Sequence, residues 1–185
     1  MNNKSQRIEN LSRFNGGRSF LFALFFLSCG VFLANFVNAE ENPEQPRVLE
    51  AWQLPDSQGE MVNFSPTQGE TYRLVLFWAT WCPYCKALMP HLEKFRKSNA
   101  TPDFGFYALN VWEDGDPKAY VTDTDFNFRL VPEADAIAKL YGVKGTPGLF
   151  LVNERNEVIY ERKSGTSPKQ VITDLEFALG RRNLE

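Results

Sequence analysis

Histidine is almost missing from this chain: His91 is the single one in 185 residues. That scarcity excludes metal centres built on several imidazoles and most serine–histidine mechanisms. Cysteine is scarce as well. Three cysteines are too few for the disulfide framework of a small secreted scaffold. No charge of one sign dominates, since 20 Lys+Arg stand against 23 Asp+Glu, so no basic excess points to nucleic acid. Twelve glycines and eleven prolines show no low-complexity bias, and no internal repeat is visible. What is present is 43% hydrophobic and 14% aromatic residues, enough for one core at this length.

The N-terminal region differs from the rest. Lys4, Arg7, Arg13 and Arg18 face one acid, Glu9, and an apolar run follows over 20–27 and continues to Val37. Val37-Asn38-Ala39 places small or aliphatic residues at the −3 and −1 positions of a cleavage site. Basic, apolar and small-residue regions in this order predict a secretory signal peptide over 1–39. An uncleaved anchor is the alternative, because the apolar run reaches the short end of a membrane-spanning helix. Either way the remainder is expected outside the cytoplasm, in the periplasm, touching the membrane only through this segment. Cys29, inside the run, reads as a leader residue rather than a lipidated one. Residues 40–47 are acidic, contain Pro43 and Pro46, and read as a linker.

Beyond residue 47 the pattern is that of a folded domain, expected over 48–182. Residues 48–54 and 60–64 flank Pro55-Asp56-Ser57-Gln58-Gly59, a hairpin signal. Residues 74–78, Leu-Val-Leu-Phe-Trp, are wholly apolar, the mark of a strand buried on both faces. Over 83–97 Leu88, Leu92 and Phe95 recur at helical spacing. A strand is expected over 104–111. A short helix is expected from Asp116-Pro117 and another over 135–141, stopped by Gly142. Strands over 148–152 and 158–161 are joined by Asn153-Glu154-Arg155-Asn156, and a last helix runs from Ser167-Pro168 to about Leu179. This order predicts an α/β sandwich around a central mixed sheet, with an N-terminal β-hairpin extension.

Cys82 and Cys85 fall between the buried strand and the helix after it. Cys82 would stand at a helix N-terminus, where unpaired N–H groups favour a thiolate. Cys85, one turn on, is placed to close a small disulfide or to attack a mixed disulfide at Cys82. Pro83 suits the first helical position and donates no N–H. Two cysteines and one histidine fall short of a zinc site. Haem attachment needs histidine after the second cysteine, where Lys86 stands. A purely structural disulfide gains little from so short a loop. A redox-active pair is the expectation.

The segment Phe77-Trp78-Ala79-Thr80-Trp81-Cys82-Pro83-Tyr84-Cys85-Lys86 resembles the active-site segment of the thioredoxin superfamily, and its Trp-Ala-Thr-Trp-Cys form is similar to the extracytoplasmic TlpA/ResA-like branch. Pro90 falls where such proteins kink this helix, and Tyr141-Gly142-Val143-Lys144-Gly145-Thr146-Pro147 matches the loop that ends in a cis-proline. The resemblance implies a thioredoxin fold, a Cys82–Cys85 disulfide, attack by Cys82 and resolution by Cys85. It implies that cis-Pro147 faces the cysteines and that the Thr146 backbone pairs with an extended substrate. Trp81, Pro83 and Tyr84 would form the docking surface beside the nucleophile. The substrates implied are protein thiols and disulfides, with a membrane electron donor, no cofactor and no metal. Reduction, for example of apocytochrome c, is the implied direction, and a monomer the default.

Two rivals remain. A disulfide-forming oxidase usually carries a helical insertion, for which residues 111–146 are too few. A non-catalytic substrate-binding or holdase module would not require both cysteines. The chain also departs from the superfamily pattern. Cytoplasmic thioredoxins carry a buried Asp where Leu76 stands. Glu113, after the next strand, is the expected assisting carboxylate, with Asp114 and Asp116 as competitors and a solvated acidic loop as the plain alternative. The Pro-Tyr dipeptide resembles glutaredoxins and implies a less reducing couple than thioredoxin's. His91 reads as structural and Trp78 as core.

Overall fold

The structure, a computed structural model, describes residues 45–180 apart from 68 and 125. The expected signal segment 1–39 and the start of the linker lie outside the described residues. Among the described residues, a five-stranded mixed sheet has the order β5-β4-β3-β6-β7. Its strands are β3 (Tyr72–Trp78), β4 (Phe104–Asn110), β5 (Arg129–Val131), β6 (Gly148–Asn153) and β7 (Val158–Glu161). A separate antiparallel pair is formed by β1 (Trp52–Pro55) and β2 (Met61–Phe64). The helices are α1 (Pro83–Ser98), α2 (Pro117–Asp123), α3 (Asp135–Leu140) and α4 (Pro168–Ala178).

β3 lies at the centre of the sheet, parallel to β4 and antiparallel to β6. Its continuous apolar run has a simple cause: both faces are covered. Leu74, Leu76 and Trp78 join Leu88 and Leu92 of α1 and Val171 and Leu175 of α4 on one side. Val75 and Phe77 join Val62 and Phe64 of the hairpin and Ile137 and Ala138 of α3 on the other. The two-residue strand period therefore divides one stretch of sequence between two cores. Leu76, in the place of the acid that cytoplasmic thioredoxins bury, packs within the first of these cores.

Two local features differ from expectation. β5 carries no periodic signal of its own, because three residues are too short for one. Leu130 and Val131 become strand only by pairing with Ala108 and Leu109 on the edge of β4. The first hairpin strand begins at Trp52 rather than at residue 48. Residues 47–49 instead join the β6–β7 turn: Val158 N–H donates to Arg47 O (2.7 Å) and Leu49 N–H to Asn156 O (2.9 Å). Asn156, buried and with φ 62°, returns its side-chain amide to Leu49 O (3.1 Å). That partnership is remote in sequence and leaves no local trace.

Candidate active site

Because β3 and β4 are parallel and β6 runs the other way, the C-terminal ends of the first two meet the start of the third. The register pairs Trp78 with Asn110 and Phe77 with Gly148. Three loops therefore converge on one end of the sheet: 79–82, 111–116 and 142–147. They bring Cys82, Glu113 and Pro147 into one region from distant parts of the chain.

Cys82 is the N-cap residue of α1, extended at φ −81° and ψ 108°, and Pro83 takes the first position. Its Sγ accepts the Cys85 N–H at 3.1 Å, and its carbonyl accepts the Lys86 N–H at 3.1 Å. Cys82 and Cys85 form a disulfide with Cα atoms 5.3 Å apart. Cys82 is 2% exposed and Cys85 fully buried. On reduction, the same N–H and the helix dipole stabilise negative charge on Cys82. Cys85 lies below the surface, bonded to Cys82.

The Thr146–Pro147 peptide bond is cis, and Pro147 is buried at the start of β6. Tyr84, 72% exposed, lines one cleft of about 430 Å³ together with Thr146, Pro147 and Arg162. Trp81 is 47% exposed, and its indole N–H donates to Trp112 O at 2.6 Å. Trp112 is itself 39% exposed and holds φ 51°, while its N–H donates to Asp135 Oδ1 (3.1 Å). Exposed aromatic rings thus flank the disulfide segment. Trp112 is not singled out by the sequence; its exposure is visible only in the fold.

Glu113 is surrounded by donors. Oε2 accepts the Thr80 N–H (2.8 Å) and Asn110 Nδ2 (2.5 Å). Oε1 accepts the Thr80 hydroxyl (2.6 Å) and the N–H groups of Asp114 (3.0 Å) and Gly115 (2.9 Å). Burial alone would raise this carboxyl, but the bonds from Thr80, Asn110 and Gly115 outweigh it and lower the pKa to about 2. Glu113 is therefore a fixed anion that ties the loop before Cys82 to the loop after β4. Asp116 is engaged elsewhere, capping α2 through the Ala119 N–H (2.9 Å). Asp114 is exposed.

The approach of these loops is close. A Cβ on Gly115 would lie 2.5 Å from Thr80 Oγ1. Gly115→Ala is expected to displace that hydroxyl from Glu113 and to cost about 1–3 kcal/mol, the usual penalty for overpacking. Chemical denaturation of the variant beside the wild type checks this, and an unchanged midpoint would refute it.

The other expected residues lie apart. Trp78 is buried, with its ring 5.6 Å from that of Tyr120. His91 is half-buried in a cleft between α1 and α4, beside Phe95 and Ile172. A larger cleft of about 540 Å³ lies at the opposite end of β4, where Asp56, Glu70 and Arg129 line it and no sulfur is near. Among the described residues no group of three or more His, Cys, Asp or Glu is placed to hold a metal ion.

A dithiol that caps a helix beside a cis-proline loop transfers electrons by exchange of sulfur partners. On this fold that chemistry defines a class, the thioredoxin-like thiol:disulfide oxidoreductases. The chain belongs to the AhpC/TSA family, whose model matches residues 47–161. The thiol-disulfide oxidoreductase ResA of Halalkalibacterium halodurans is 27% identical over 126 residues, covering 67% of this chain and 71% of the relative. The sporulation thiol-disulfide oxidoreductase A of Bacillus subtilis is 24% identical over 125 residues, covering 65% of this chain and 74% of the relative. Among solved structures, a thiol:disulfide interchange protein of Chlorobium tepidum matches with a TM-score of 0.62 at 19% identity, over 74% of this chain and 98% of that one. StoA of Bacillus subtilis matches with 0.57 at 20% identity, over 71% and 100%. These structural likenesses establish the fold.

Proposed function

We propose that this chain is a periplasmic thiol:disulfide oxidoreductase that reduces disulfides in exported proteins through its Cys-Pro-Tyr-Cys segment, apocytochrome c being one substrate of suitable chemistry. The observation that carries the reading is the position of Cys82: its Sγ caps α1 and accepts the Cys85 N–H. The Cys82 thiolate attacks one sulfur of a substrate disulfide. The substrate S–S bond breaks, a mixed disulfide forms, and the departing substrate thiolate takes a proton from water. Cys85, as thiolate, then attacks Cys82 Sγ. The mixed disulfide breaks, the second substrate thiolate leaves and is protonated, and the Cys82–Cys85 disulfide remains. Two electrons have passed to the substrate. A membrane dithiol donor returns them.

Glu113 contributes by position in this reading. All its bonds go to N–H and O–H donors, and an anion held at a pKa of about 2 takes up no proton at neutral pH. It assists by fixing Thr80, two residues before the nucleophile. Trp81, Pro83, Tyr84, Thr146 and Pro147 form the surface that receives the substrate. The leader composition over 1–39 supports export, and no helix of the described residues is long and apolar enough to cross a membrane.

The reduction potential of the Cys82–Cys85 couple tests the direction. A value of about −250 mV or lower would support a reductase fed from the membrane. A value near about −120 mV would make the protein an oxidant of exported thiols.

A further inference from the structure

Arg162 is the exception among the arginines. Among the described residues every other arginine that reaches solvent holds a carboxylate: Arg47 with Glu161, Arg96 with Glu93, Arg129 with Asp56, and Arg155 with Glu157. Arg73 is buried. Arg162 is half-buried directly after β7, and its partners in the chain are two main-chain carbonyls. Nη1 donates to Pro147 O at 3.3 Å, and Nη2 donates to Thr166 O at 3.0 Å. A guanidinium has five N–H donors; Nε is buried without a partner, and Nη1 and Nη2 each use one hydrogen and keep one unengaged.

This charge sits where substrate is expected. It lines the cleft of about 430 Å³ that also holds Tyr84, from the Cys82–Cys85 segment, and Thr146 and Pro147. It also lines an adjoining cleft of about 340 Å³, into which Lys144 adds a second positive charge. The one carboxylate lining that second cleft, Glu161, is paired with Arg47 at 2.7 Å. Thr146 belongs to the wall shared by both clefts, with its Oγ1 buried behind that wall and without a hydrogen-bond partner. In a chain of net charge −3, this side of the disulfide is locally cationic.

We propose that Arg162 forms an acid-selecting subsite, binding the side-chain carboxylate of an Asp or Glu that lies within a few residues of the reacting cysteine in the protein substrate. A fork of N–H donors matches a carboxylate in geometry, and the half-buried setting strengthens the pairing. An extended substrate segment laid along Thr146 and Pro147 carries its neighbouring side chains toward this cleft. The inference rests on the oxidoreductase reading and names the substrate feature that the site selects.

The test uses synthetic peptides with one intramolecular disulfide, identical except for Glu, Gln or Lys two residues from a cysteine. The rate at which each oxidises the reduced protein is followed in single turnover. Each rate is divided by that of the same peptide with dithiothreitol, which removes the intrinsic effect of the flanking charge on the thiol. The Glu peptide is expected to react about tenfold faster than the Gln peptide, the size of one charge-assisted hydrogen bond, and the Lys peptide slower still. R162Q should bring the three rates within about twofold of one another, whatever their common level, and R162E should invert the order. Equal normalised rates in the wild type, or a preference that survives in R162Q, would overturn the subsite and leave the oxidoreductase reading intact. Failure to react with any peptide disulfide would overturn both. Should R162Q not fold, the wild-type Glu-to-Lys ratio at low and high salt decides, since a preference indifferent to salt is not ionic.

Discussion

Cys82→Ser is expected to lower thiol–disulfide exchange by about a thousandfold or more, because a serine hydroxyl stays protonated where the thiol ionises. Cys85→Ser should fail differently. Cys82 would still attack, but nothing would resolve the product, and mixed disulfides with substrate would accumulate as bands that vanish on reduction. The asymmetry follows from the geometry. Cys82 caps α1 and receives the Cys85 N–H, whereas Cys85 is fully buried behind it. Neither variant should lose its fold, since a disulfide closing so short a loop restricts the unfolded chain little. Non-reducing gels with a mixed pool of exported proteins distinguish the two. Mixed disulfides trapped by Cys82→Ser instead of Cys85→Ser would reverse the assigned roles.

The second large effect is expected at Glu113. In Glu113→Gln an NH2 group replaces one oxygen and faces the N–H groups of Thr80 and Gly115 or the amide of Asn110, donor against donor. A folded-state pKa of about 2 against an ordinary 4.5 means that the ionised form stabilises the fold, by about 1–2 kcal/mol once solvent screening of this partly exposed group is allowed for. Because the folded pKa is the lower one, that stability is fully present above about pH 4.5 and is lost as the pH falls toward 2. The substitution should therefore lower the melting temperature by roughly 5 °C at pH 7. The gap between variant and wild type should narrow below pH 4.5. The pH profile of exchange between about pH 5 and 8 should keep its shape, since Glu113 is ionised throughout. An inflection present in the wild type and absent in the variant would instead make Glu113 a base and sink the positioning role.

These two residues also show what sequence discloses. The position of Cys82 was legible because its setting is local. An apolar run, then Cys-Pro, then Leu88, Leu92 and Phe95 at helical spacing specify a buried strand turning into a helix, with Cys82 at the junction. Glu113 was legible as an acid in about the right place, but not as an acid with five hydrogen bonds. Glu113 and its partner Thr80 lie in the loops after β4 and β3, strands adjacent in space and far apart in the chain. β5 was missed for the same kind of reason: its three residues are strand only because β4 offers an unpaired edge.

The sequence by itself determined the alternation of strands and helices, the two-sided burial of β3, and the capping of α1 by a cysteine. Each depends on periodicity, or on the backbone needs of neighbouring residues. The tertiary structure alone decided which groups answer one another. It turned Trp112 outward, saturated Glu113 with donors, joined residues 47–49 to the β6–β7 turn, and left Arg162 beside Pro147 without a counter-charge. The physical reason is that hydrogen bonds and ion pairs act over a few ångströms. Which residues come within that range is set by strand order and register, not by distance along the chain.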